Sequence, residues 1–148
     1  MNGITEPKDC KVVGFLSNFE VFTYFKEKKE ESYKNYKQAQ KLKRNTHMNT
    51  VTYETLQYLQ TTPCAVQTKD AVEMYMNLIQ PFGLTKAEKL TILNTRPTQP
   101  VDIQAIVEES EERLSEDQIN DLIDVIQKTL PPIPSGDEEK SDQGELSS

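Results

Sequence analysis

Between residues 50 and 130, apolar residues recur at helical spacing in segments punctuated by proline and glycine. VTYETLQYLQ sets Thr52, Leu56 and Leu59 on one face of a helix that stops before Pro63. TKDAVEMYMNLIQPFG opens on the cap candidate Thr68, with Asp70 in the first turn. It runs Val72, Tyr75, Met76 and Ile79 at i, i+3, i+4 and i+7, and it closes at Pro81 and Gly83. Thr85 and Glu88 have capping-box spacing ahead of TKAEKLTILN, whose inward positions are Ala87, Leu90 and Leu93. Pro97 disfavours helical geometry at Arg96, so this helix ends near Asn94. Pro100 suits the first turn of the next helix, whose stripe is Ile103, Ile106, Val107 and Leu114. Ser115 and Gln118 start a last helix with Ile119, Leu122, Ile123, Ile126 and Leu130 inward. The pattern predicts an all-α bundle of about five short helices.

The N-terminal pattern differs. Val12, Val13, Phe15 and Leu16 form a strand-like apolar run, but an isolated strand cannot satisfy its own backbone. Ser17 and Glu20 form a third capping box, with Leu16 and Val21 at the staple positions, so a helix starts at Asn18. Phe19, Val21, Phe22 and Phe25 make its apolar pairs, and the apolar pattern stops at Phe25. These eight apolar residues have few partners within residues 1–30, which predicts burial on a partner, with 12–16 adding as a strand to the partner's sheet.

Composition divides the 148 residues further. Hydrophobic content is 35%, low for a globular chain, so part of it is extended or ordered only by a partner. From Lys26 to Arg44, eight basic residues oppose only Glu27, Glu30 and Glu31, with Tyr33 and Tyr36 interleaved. A solvated tether and a nucleic-acid patch both fit that stretch. PPIPSGDEEKSDQGELSS reads as a disordered acidic tail. The expected organisation is a loose N-terminus (1–11), a partner-binding arm (12–30), a basic flexible linker (31–49), a helical domain (50–130) and the tail (131–148).

The net charge of −7 argues against general nucleic-acid affinity. No apolar run approaches the roughly 18 residues of a membrane span. Cys10 and Cys64 lack metal-site or redox spacing and read as free thiols. His47, the one histidine, has no fixed acid or cysteine beside it, and no phosphate loop or metal motif occurs. The chain is therefore predicted to be non-catalytic, with no cofactor or metal. On the last two helices nine acids from Asp102 to Asp124 face only Arg113. Glu108, Glu109, Glu111 and Glu112 form a candidate docking face for a basic partner; a merely solvated face is the alternative.

LSNFEVF, NTVTYETLQYLQTTPC, LTKAEKLTILNTRP and VDIQAIVEESEERLSEDQI occur in that order. Together they resemble the smaller stalk subunits of eukaryotic DNA-directed RNA polymerase III, a family with an HRDC-like helical domain. The resemblance covers about residues 12–130. It implies an N-terminal segment embracing a partner, then the helical domain. It also implies a heterodimer with a larger OB-fold stalk subunit, contact with the polymerase core and initiation factors, a role in transcription initiation, and nuclear location with room for a cytoplasmic pool. Two further readings stand beside it: an HRDC-type nucleic-acid-binding module, and an adaptor coupling calcitonin gene-related peptide receptor signalling, as linked to members of the family. The acidic charge weighs against the first of these.

Overall fold

The computed structural model of the chain describes residues 11–35 and 46–134. Among them the secondary structure is entirely helical. α1 spans Asn18–Asn35, α2 Thr46–Leu59, α3 Lys69–Leu78, α4 Lys86–Thr95, α5 Pro100–Ile106, α6 Ser110–Arg113 and α7 Glu116–Thr129. Two short 3-10 turns, Pro63–Val66 and Gln80–Phe82, lie between α2 and α3 and between α3 and α4. The expected loose residues 1–10, including Cys10, most of the basic stretch (36–45) and the tail from 135 lie outside the described residues.

All three capping boxes form. At α1 the Ser17 hydroxyl accepts from the Glu20 amide at 3.1 Å, and the Glu20 carboxylate accepts from the Ser17 amide at 3.2 Å. The Thr85–Glu88 and Ser115–Gln118 boxes close in the same reciprocal way. Thr68 caps α3 by accepting from the Ala71 amide. Each box satisfies donors that the first helical turn leaves open.

The larger core joins α3, α4, α5 and α7. Tyr75, Ile79, Ile92, Ile103, Leu122, Ile126 and Leu130 are fully buried there. The Tyr75 hydroxyl donates to the Lys89 carbonyl at 2.7 Å, so its polar end is satisfied, and burial pushes that phenol well above its ordinary pKa. Arg96 takes a left-handed conformation (φ 47°) ahead of Pro97, and its Nε donates to the Leu130 carbonyl at 2.9 Å. The corner thus ties the end of α4 to the end of α7. Pro100 is the first residue of α5, where its missing N–H costs nothing.

Four expectations need correction. Residues 11–17 carry no strand: none of the described residues pairs with Val12–Leu16 as a strand, and an unpaired strand leaves its backbone groups unbonded. The helix expected to run from Pro100 through Leu114 breaks after Ile106. Val107 is extended and Glu109 left-handed (φ 51°), which lets both Val107 and Leu114 reach the core. Within α4, Ala87 is exposed and Ile92 is buried instead, because the helix turns its Glu88–Ile92–Leu93 side inward. Met76 is exposed while its neighbours Tyr75 and Ile79 are buried.

The aromatic half of α1 also has a core of its own. Phe22 packs with Leu56, Leu59 and Cys64, flanked by Phe19, Val21 and Phe25. The Asn18 amide donates to the Asn94 side chain at 2.9 Å, joining the start of α1 to α4. Helix α1 continues through Asn35, ten residues beyond the last apolar position, and α2 begins at Thr46. The ends of the expected linker are therefore helical.

Candidate partner-docking surfaces

Two surfaces gather the residues singled out in the sequence. At the N-terminal one, Val12, Val13, Phe15 and Leu16 are 75%, 92%, 80% and 62% exposed. They precede Ser17, which is buried, so the run leaves the body of the protein at a fixed point. Exposing four large apolar side chains in five residues has a hydration cost that burial on another surface would remove, at about 25 cal/mol per Å². The structure divides the eight candidates. Phe19, Val21, Phe22 and Phe25 serve the cluster with α2, while Val12, Val13, Phe15 and Leu16 join no core cluster among the described residues. The sequence marked both sets as apolar, one as a strand-like run and one by helical pairs, but could not show that α2 lay opposite α1.

The second surface is the acidic one. Glu108, Glu109, Glu111 and Glu112 are all exposed. Glu109, Glu111 and Glu112 edge a shallow depression of about 340 Å³ together with Gln104, Val107 and Ser110. Beneath this face lies an ion pair. Arg113 donates through Nη1 to Glu88 Oε1 at 2.7 Å and through Nη2 to Glu88 Oε2 at 2.9 Å. It also bonds the carbonyls of Glu108 (2.9 Å) and Gly83 (3.3 Å).

Glu88 is 6% exposed. Hydrogen bonds from Arg113 hold its carboxyl down at about 2; burial opposes this, and the Thr85 amide, donating at 2.9 Å, assists. One carboxylate therefore closes the cap of α4 and anchors α6. Arg113 had stood out as the one base among nine acids, and Glu88 as a cap residue; their pairing across 25 positions had no sequence signal. Glu108, Glu109, Glu111 and Glu112 keep their side chains exposed outside this pair.

Among the described residues no group of three or more His, Cys, Asp or Glu is placed to hold a metal ion, and no helix is long and apolar enough to cross a membrane. Cys64 is buried, its thiol raised by burial and placed 3.3 Å from the Leu59 carbonyl. That is a packing role, since reactive cysteines are accessible and shifted the other way.

The family model described as RNA polymerase Rpb4 matches residues 15–130, most of the chain. A curated relative from Schizosaccharomyces pombe (strain 972 / ATCC 24843), DNA-directed RNA polymerase III subunit rpc9, is 34% identical over 121 residues. The match covers 79% of this chain and 93% of the relative. The matched span starts at Phe15 and takes in both clusters, the proline corner and the acidic helices.

Proposed function

The chain belongs to the RNA polymerase Rpb4 family, and from that premise we propose that it is a stalk subunit of RNA polymerase III that pairs with the larger, OB-fold-bearing stalk subunit and supports transcription initiation. It is a non-catalytic subunit, and as part of RNA polymerase III it works in the nucleus. The match to the polymerase III subunit over 93% of that relative supports the choice of polymerase.

The observation that carries the pairing is the exposed run Val12, Val13, Phe15 and Leu16, adjoining a buried and capped helix start. An apolar run of this length gains most by lying in a groove on a partner, where burial takes its side chains out of water. The acidic face is the second contact, for basic segments of the initiation machinery.

The test replaces Val12, Val13, Phe15 and Leu16 by serine in the full chain. None of the four belongs to a core cluster. Co-purification with the larger stalk subunit should be lost while the thermal midpoint of the chain alone stays the same. Full-yield pairing of the variant would show that the run is not the contact.

A further inference from the structure

Two segments leave the body of the protein at one place. The apolar run of residues 12–16 ends at Ser17, which is buried, and the next amide, that of Asn18, donates to Asn94 Oδ1 at 2.9 Å. At the other end α7 stops at Thr129, and the carbonyl of the buried Leu130 accepts from Arg96 Nε at 2.9 Å. Asn94 lies in the last turn of α4, and Arg96 is the cap of that helix. Both exits are therefore pinned to the same end of one helix. Beyond Leu130 the chain reads Pro131, Pro132, Ile133, Pro134. Pro131 is half-buried and the other three are exposed, Ile133 by 45%. None of the four belongs to a core cluster. Leu130 is already extended (φ −104°, ψ 122°). Leu130, Pro131 and Ile133 each precede a proline, which favours extended backbone, and three of the four residues have φ fixed by their rings. The segment is a stiff, uncharged arm of about 12 Å at ~3.1 Å per residue.

We propose that residues 131–134 form a second arm that docks on the larger stalk subunit, in an apolar groove beside the site of residues 12–16, an inference that rests on the pairing proposed above. The shared anchorage selects the partner. Once the first arm is bound, the second is held beside the same surface, so its contact costs little further freedom. Stiffness acts in the same direction, because an arm with fixed φ angles loses little on docking. The chemistry sets the kind of groove. Only Ile133 among the four carries a backbone N–H, so the segment cannot add to a sheet as a strand. Recognition falls to the proline rings and the Ile133 side chain, which suit an aromatic-lined groove of the kind that takes extended proline segments. Without a charge, the arm has no attraction for phosphates or for an acidic or basic surface. The family match ends at residue 130, so the arm extends the docking surface past the matched span.

The full chain is co-expressed with the larger stalk subunit, and the dissociation constant of the pair is measured for the wild type and two variants. Ile133→Ser should weaken pairing roughly tenfold, since about half of that side chain is still open to water. Pro132→Gly combined with Pro134→Gly should weaken it severalfold by loosening the arm. The thermal midpoint of each variant alone should match that of the wild type. A photo-crosslinking phenylalanine analogue, placed at Phe15 in one chain and at Ile133 in another, should capture the larger subunit from both positions. Capture from position 15 alone, or wild-type affinity in both variants, would overturn the second arm and leave the pairing standing. A lowered midpoint for Ile133→Ser would make Ile133 part of the fold and overturn the arm as well. No pairing by the wild-type chain and no capture from either position would overturn the stalk reading, and the arm with it.

Discussion

At the scale of single residues, Glu88 and Glu109 show two different uses of a glutamate. Glu88 has a folded pKa of about 2, below its ordinary value of 4.5. A carboxyl shifted downward contributes its stability fully above the unfolded value and loses it as pH falls from about 4.5 through about 2. Glu88→Gln should therefore lower stability at neutral pH by about 1–3 kcal/mol and flatten the acid limb of the stability curve, measured by denaturant unfolding from pH 7 to pH 2. An unchanged acid limb would show that other carboxylates control it. Glu109 holds a left-handed φ of 51° with an exposed side chain. Because such backbone is strained for any residue with a Cβ, Glu109→Gly should be neutral or stabilising by up to about 1 kcal/mol. Arg96 shares the conformation, but its guanidinium bonds Leu130, so Arg96→Gly should destabilise. Both positive-φ positions were hidden in the sequence. The Arg96–Pro97 step hinted at a break, whereas nothing in VEESEE marks Glu109 as a turn.

At the scale of elements, starts were legible and partners were not. Ser17, Thr85 and Ser115 announced their helices because a capping box is a local interaction, decided within four residues. Which helix lies opposite which depends on contacts across tens of residues, and α1 shows the consequence. Its aromatic face appeared spare until α2 was seen to cover Phe22. Phe22→Ala should cost about 3 kcal/mol in the isolated chain, measured by thermal or chemical unfolding, because a buried ring leaves a cavity. If the isolated chain were indifferent to that change, Phe22 would be a partner residue after all. The proline corner divides in a similar way. Pro97 is buried and Pro100 is exposed. Pro97→Ala should cost about 1–2 kcal/mol through lost packing, and Pro100→Ala under about 1 kcal/mol, since its part is to pre-set one φ angle. Comparable losses at both positions would mean that stiffness, and not burial, holds the corner.

At the scale of the whole molecule, the all-α class and the buried stripe of α7 followed from periodicity, since Ile119, Leu122, Ile123, Ile126 and Leu130 are all inside. The exposed N-terminal run was legible as apolar but not as exposed, because exposure is a property of the finished surface. The acidic face combines both cases: its charges were plain, and the structure adds that Glu108, Glu109, Glu111 and Glu112 lie outside the Glu88–Arg113 pair that holds α4 to α6. Structure and charge are thereby separated. One buried carboxylate stabilises the fold, while four exposed ones contribute little to it, as exposed charges generally do. Duplex DNA would be repelled by that face, whereas a basic protein segment would be drawn to it. Reversing all four to lysine should leave helicity and stalk pairing intact and weaken promoter-dependent transcription by RNA polymerase III. The dependence of transcription on ionic strength should fall in the same variant, because exposed charges are screened beyond about 10 Å at 0.1 M salt. Transcription at the wild-type level in low salt would leave these glutamates a solubilising role and nothing more. A loss of stalk pairing would instead place the larger subunit, and not the initiation machinery, on the acidic side of the bundle.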